Sequence, residues 1–310
     1  MKKKTNILLI ALIGLCVAAF VGYRTLDRIR SDTKPPQITI GSDALQVSVN
    51  DPADTLLAGV SATDNKDGNV TDSLVVESIQ LLDGTGRLSV SYAAFDKAGN
   101  VAKATREAIY TDYVRPQFTL NQPLLFRYGI TFDVLNIIGA TDTRDGNIQH
   151  RIRATSLDEN SISTLGKHDV LFQVTNSLGD TVSLTIPVEV YDPKAYDAEL
   201  ALTDYLVYLN VGDSFQASAY LKNFTYLGET TNLGTRLPYG FSLKTEGTVT
   251  TGTPGVYPVE YYVTYTERNA NNPELDRKYD SHSRLIVVVE GYGYGKNKRI
   301  TYNRCRSSAF

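Results

Sequence analysis

The sequence predicts an all-β protein of three consecutive antiparallel β-sandwiches preceded by an N-terminal membrane helix. The first observation is a repeat: Ala62-Thr63-Asp64-Asn65-Lys66-Asp67-Gly68-Asn69-Val70 returns as Ala140-Thr141-Asp142-Thr143-Arg144-Asp145-Gly146-Asn147-Ile148. Self-similarity at a fixed period marks a tandem architecture. The second is that the correspondence continues downstream, where Gly86, Val90 and Tyr92 match Gly166, Val170 and Phe172, and Gly255, Val259 and Tyr261 repeat the spacing again. The third is strand-and-turn patterning without helical periodicity from Gln37 onward.

The strands follow in order. Gln37-Ile38-Thr39-Ile40, Leu45-Gln46-Val47-Ser48-Val49 and Leu88-Ser89-Val90-Ser91-Tyr92 alternate apolar with polar residues, as half-buried strands do. Asp96-Lys97-Ala98-Gly99-Asn100 and its counterpart Asn176-Ser177-Leu178-Gly179-Asp180 interrupt with turn residues and predict hairpins. Asp112-Tyr113-Val114-Arg115-Pro116 and Tyr191-Asp192-Pro193 close one unit and open the next. Such short, proline-bearing linkers are stiff, so separate domains in an extended rod are expected. The resulting division is a cytoplasmic head, membrane anchor and stalk over 1–34, Ig-like domains over 35–113, 114–192 and a divergent 193–291, and a basic Tyr/Gly tail over 292–310. Several short strands per unit with frequent turn signals are the pattern of an Ig-like sandwich.

The N-terminus supplies the expected compartment. Lys2-Lys3-Lys4 precede an uncharged run from Ile7 to Gly22, closed by Tyr23 and Arg24. Its length lies between a secretory core and a full membrane helix. An uncleaved single-pass anchor through residues 7–23 is expected, with the repeats extracellular, because a short head holds nothing that needs the cytosol and long domains translocate regardless of flanking charge. Cys16 lies in this run and Cys305 near the C-terminus, so no repeat contains an internal cysteine pair. A net charge of −3 and a pI of about 5.7 provide no basic field for nucleic acid, and none is expected as a partner.

The order Ala-Thr-Asp-x-x-Asp-Gly-Asn-Val/Ile, Gly-x-x-x-Val-x-Tyr/Phe and Asp-Lys-Ala-Gly-Asn resembles the bacterial immunoglobulin-like repeats first noted in a pesticidal crystal protein. The first unit matches well, the second nearly as well, and the third only in its second half. The resemblance implies seven-strand sandwiches used as spacer or adhesion modules, usually outside the cell, and no catalytic residues.

Candidate chemistry is sparse. Asp64, Asp67 and Asn69, with Asp142, Asp145 and Asn147, invite a calcium reading, but an EF-hand would need an acid where Thr63 and Thr141 stand and a glutamate where Leu74 and Ile152 stand. A tight turn with positive φ at Gly68 and Gly146 is the preferred reading, and a looser loop-carboxylate site stays open. Gly291 to Lys296 has the wrong spacing for a phosphate loop. His150, His168 and His282 fall one per unit and are expected at the surface or strand edges. The polar stretch from Glu267 to Ser283 is expected to be a solvated long hairpin, or else a functional or mobile loop. No enzyme, catalytic residue, cofactor or metal ligand is expected.

Fifteen of 20 tyrosines follow residue 190, which marks the third unit as the contact surface, although alternation places many rings in a core. The expected function is a membrane-anchored bacterial surface protein serving as spacer and adhesion or protein-interaction module. A carbohydrate-binding accessory protein presenting Tyr261, Tyr262 or Tyr279 is the alternative. The partner is a protein or glycan of unknown identity.

Overall fold

The computed structural model describes residues 12–25, 32–42, 44–156, 164–192, 198–269 and 273–291. The all-β expectation holds: among these residues, strands form six sheets and only one stretch is α-helical. In the first sandwich, β1 (Gln37–Ile40), β2 (Leu45–Val47), β3 (Val60–Asp64), β4 (Gly68–Asn69), β5 (Val75–Leu81), β6 (Arg87–Phe95) and β7 (Val101–Tyr110) form sheets β1-β3-β4 and β2-β7-β6-β5. The second has β8 (Gln117–Leu120), β9 (Leu125–Arg127), β10 (Ile138–Asp142), β11 (Gly146–Asn147), β12 (Arg153–Ser156), β13 (Gly166–Thr175) and β14 (Thr181–Tyr191), in sheets β11-β10-β8 and β12-β13-β14-β9. The third has β15 (Glu199–Leu202), β16 (Leu206–Asn210), β17 (Leu221–Tyr226), β18 (Glu229–Asn232), β19 (Phe241–Glu246), β20 (Gly255–Glu267) and β21 (Arg277–Glu290), in sheets β15-β17-β18 and β16-β21-β20-β19.

Each sandwich thus pairs three strands with four. In each, the second strand leaves its predecessor's sheet and pairs in parallel with the last: β2 with β7, β9 with β14, β16 with β21. This seven-strand, two-sheet arrangement is Ig-like.

The repeated Tyr/Phe position explains part of the core. Tyr92, Phe172 and Tyr261 are all fully buried. Tyr92 donates its hydroxyl to the Leu56 carbonyl at 2.8 Å, and Tyr261 donates to that of Ala217 at 3.0 Å. Both carbonyls belong to short 3-10 turns, over Ala53–Leu57 and Ala217–Tyr220, whose backbone groups need partners away from water. Arg106 braces the first turn, donating Nη2 to Leu56 and Nη1 to Ala58.

The chain divides into two compact units, residues 1–80 with 88–111, and 81–87 with 112–310. In the second unit the second and third sandwiches pack together, where stiff linkers led us to expect separate bodies. The cause lies in β21: Leu285, Val287 and Val289 face the third core, while Ile286 and Val288 enter the second core with Leu206, Tyr208 and Val256. A strand apolar on both faces must be covered on both. Phe118 N donates to the Tyr208 hydroxyl at 2.8 Å across the same contact.

The membrane expectation is corrected. Among the described residues near the N-terminus, helix covers residues 12–25. No helix among the described residues is long and apolar enough to cross a membrane. The single-pass anchor through residues 7–23, and the extracellular display that depended on it, are therefore not supported; residues 7–11 of that run lie outside the described residues. The stretch from Glu267 to Ser283 belongs to a hairpin, with β20 and β21 in register out to Glu267 opposite Arg277. Its inward side chains are Tyr279, Ser281 and Ser283, and the two serines hid the alternation. The tail at 292–310 lies outside the described residues.

Candidate functional site

The repeated Asp-Gly-Asn segments build the turns expected of them. Asp64 Oδ1 accepts from the backbone N–H groups of Lys66 and Asp67 at 2.7 and 2.9 Å, and Asp142 Oδ1 accepts from Arg144 and Asp145 at 2.9 Å each. Gly68 and Gly146 take φ of 73° and 68°, open to glycine at little cost. Asn69 and Asn147 then accept from Thr71 N and Gln149 N. The N–H groups of Asp67 and Lys66 hold the Asp64 carboxyl below the usual carboxylate range.

Beyond the turns the two repeats diverge. In the first, Asp32, Asp64, Asp67 and Asp96 each place an oxygen within 4.8 Å of the others. Asp64 and Asp96 are each 8% exposed. The Oδ2 atoms of Asp32 and Asp64 are buried and have no hydrogen-bond partner among the described residues. Asp67 Oδ2 accepts from Lys97 N at 2.8 Å, and the Lys97 ammonium stands 3.8 Å from Oδ1 on a solvent-exposed side chain. Asp96 accepts from the backbone and side chain of Asn100, whose amide also donates to the Asp32 carbonyl.

In the second repeat Asn176 occupies the place of Asp96. Its amide donates to Asp142 Oδ2 at 3.0 Å and to the Tyr113 hydroxyl at 2.9 Å. Arg115 grips Asp180 through Nε at 3.0 Å and Nη2 at 2.6 Å, and Tyr113 donates to the same carboxylate. Burial and the Asp180 charge push the Tyr113 hydroxyl well up, so it remains a donor. Burial alone would raise the Asp145 carboxyl, but Ser177 and Arg151 outweigh it and hold it low. The carboxylates of this loop cluster are thus met by the chain's own donors.

A second charged group lies where the second and third sandwiches meet. Arg284, 1% exposed, donates Nε to Glu260 Oε1 at 2.8 Å and Nη1 to the Pro187 carbonyl at 3.0 Å, and pairs through Nη2 with Glu189. Lys167 Nζ and His282 Nε2 reach Glu260 at 3.0 and 2.8 Å. Glu189, Glu260 and His282 are close enough together to hold an ion, but Arg284 and Lys167 already compensate both carboxylates. Sequence proximity gave no hint of this network, because its members come from β13, β14, β20 and β21.

Of the histidines only His150 is exposed; His168 and His282 are buried, which corrects the surface expectation. His168 is held by the Thr164 carbonyl at 2.8 Å. Tyr261 and Tyr279 are buried, and Tyr262 stacks on His282 with ring centroids 4.7 Å apart. An open groove of about 410 Å³ lies among His150, Arg151, Arg153, Gln173, Thr175 and Thr181. Its Arg151 is already paired with Asp145.

One end of the third sandwich exposes apolar side chains. Leu227, Tyr239 and Leu275 are 77%, 85% and 61% exposed. They sit on the β17–β18 turn, the loop before β19 and the β20–β21 connection. These loops stand on one aromatic cluster: Tyr226 packs on Tyr265 and Tyr279 at 4.9 and 4.7 Å, and Phe241 on Tyr265 at 4.7 Å. Leu227 adopts φ of 47°, the one positive value at a non-glycine position among the described residues.

No protein-family model matches the chain. An uncharacterized 81.3 kDa protein of Acholeplasma phage L2 is 33% identical over 118 residues, a match that spans 33% of this chain and 16% of that protein. Among solved structures, protocadherin gammaB7 EC3-6 aligns over 83% of this chain and 74% of its own at 9% identity and a TM-score of 0.19. The CBM51-2 and INT domains of Clostridium perfringens ZmpB, in complex with GlcNAc, align over 84% and 45% at 13% identity and 0.21. Mouse cadherin-23 EC22-24 aligns over 84% and 100% at 12% identity and 0.18. These overlaps are too loose to carry an argument about function.

Proposed function

We propose that the chain is a non-catalytic interaction module that binds a protein partner through the loop end of its third sandwich. The carrying observation is the exposure of Leu227, Tyr239 and Leu275 on three loops braced by one packed aromatic cluster. Loops on a rigid base are the usual place for recognition, and interface centres favour large apolar and aromatic side chains. The strained backbone at Leu227 fits a position kept for something other than folding stability. Joining the second and third sandwiches through β21 makes the base stiffer than one sandwich alone. The resemblance of the repeat motif to bacterial immunoglobulin-like surface repeats supports a spacer or adhesion role. A glycan platform on Tyr261 or Tyr279 is disfavoured, since both rings are buried.

The test is attachment of the purified full chain to cells of its source or host, before and after treating those cells with trypsin or with glycosidases. Attachment that trypsin removes, that glycosidases leave intact, and that Leu227→Asp with Tyr239→Asp abolishes is the expected result. Attachment lost to glycosidases, or unchanged by both substitutions, overturns the protein-partner reading. Hydrolase activity in the purified chain would overturn the non-catalytic one.

A further inference from the structure

We propose that Asp32, Asp64, Asp67 and Asp96 form a calcium site that ties the segment entering the first sandwich to its loops. The site is separate from the proposed contact face and does not depend on it.

Four carboxylates converge with one oxygen each inside 4.8 Å. Converging acids alone mean little, since exposed acidic loops are common. Here the buried oxygens decide. Asp64 is more than nine-tenths buried, and while its Oδ1 closes the turn, its Oδ2 is buried with no donor among the described residues. Asp32 Oδ2 is in the same condition. An uncompensated buried carboxylate oxygen is costly, because it has lost water without gaining a partner. The Lys97 ammonium is held mostly in solvent and stands 3.8 Å from Asp67, a different residue's carboxylate.

The second repeat provides an internal control. At Asp142 the oxygen equivalent to Asp64 Oδ2 takes a hydrogen bond from Asn176 at 3.0 Å. Arg115 neutralises Asp180 and Arg151 neutralises Asp145. The same backbone turn therefore exists in two versions, one in which the second oxygen of the turn aspartate meets an amide donor and one in which, among the described residues, it meets none. With Asp96 in the place of Asn176, the amide that serves the turn carboxylate becomes a carboxylate, itself met by Asn100, and Asp64 Oδ2 loses that donor.

The donor set selects the ion. All four groups are hard oxygens with no His or Cys, which favours calcium or magnesium over zinc or copper. Calcium accepts about six to eight oxygens in an irregular shell, whereas magnesium demands near-ideal octahedral geometry and keeps several of its waters. Flexible loops and a high carboxylate count also favour calcium. Asp32 precedes β1 and comes from outside the repeated motif. An ion shared with Asp64, Asp67 and Asp96 would thus anchor residues 32–36 beside the β6–β7 turn, where Asn100 already holds the Asp32 and Lys34 carbonyls.

The experiment is calorimetric titration of calcium chloride into the full chain stripped with EGTA, with thermal unfolding in calcium and in EGTA. One calcium per chain is expected, with magnesium a weak competitor and unfolding of the first unit shifted upward. Asp96→Asn copies the second repeat's own residue and should fold, yet lose more than tenfold in affinity; Asp64→Asn should do the same. Asp142→Asn should leave affinity and stoichiometry unchanged. Absence of heat at millimolar calcium, two ions per chain, or full affinity retained in Asp96→Asn would overturn the proposal and leave these residues as turn formers.

Discussion

Arg284 Nε lies 2.8 Å from Glu260 Oε1, and both side chains are almost wholly withdrawn from solvent. The guanidinium serves three acceptors at once, on Glu260, Pro187 and Glu189. Removing it leaves two carboxylates to the half-exposed Lys167 and, at Glu260, to His282, so Arg284→Leu should cost about 3 kcal/mol. Arg284→Lys should recover only part, because an ammonium cannot reproduce the planar fork. Urea denaturation of the full chain, followed at the second unit, measures both.

The same pair sets a pH dependence. Burial alone would push the Glu260 carboxyl up, but the His282 hydrogen bond, the Arg284 charge and Lys167 outweigh it and hold it at about 2. A depressed carboxylate stabilises the fold fully above its unfolded value near 4.5 and ceases to do so as pH falls toward 2. The melting temperature of the second unit should therefore fall steeply through that window. Glu260→Gln should start lower and show a shallower slope.

Ile286 belongs to the third sandwich but is buried in the second core. Ile286→Ala should cost about 2–4 kcal/mol, and the loss should not stay local. Hydrogen exchange should quicken in β8 and β14 as well as in β21. If the two sandwiches folded independently, exchange in β8 and β14 would be unaffected.

The equivalent aromatic positions give a graded series. Tyr261→Phe leaves the Ala217 carbonyl without its 3.0 Å donor and should cost about 1–2 kcal/mol. Tyr92→Phe should cost less, since Arg106 still serves the Leu56 carbonyl. Phe172 shows that the ring without a hydroxyl fills the position. Thermal unfolding of the single variants orders them.

Much of this was legible before the fold was known. Period-two alternation placed β1, β2 and β6, the Asp-Gly-Asn motif gave turns with positive φ at Gly68 and Gly146, and the spacing to Tyr92, Phe172 and Tyr261 marked three equivalent positions, whose burial came from the structure. The aspartates of the first repeat were noticed, but Asp32 and Asp96 lie tens of residues from Asp64 and meet it only through the sheet order. The turn reading was correct for one oxygen of Asp64 and silent about the other. The apolar N-terminal run suggested a membrane span, but no helix among the described residues is long and apolar enough to cross a membrane.

Local sequence determined what local physics controls: strand periodicity, turn chemistry, the absence of an internal cysteine pair in any repeat and the repetition of a β unit. Tertiary structure alone decided which donors meet which carboxylates, and that β21 serves two cores at once. The run Leu285 to Val289 shows why, since continuous apolarity states that both faces need cover without stating what provides it. Long-range pairing chose the second sandwich for one face and the third for the other, and the same pairing assembled the charges of Lys167, Glu189, Glu260, His282 and Arg284 from four strands.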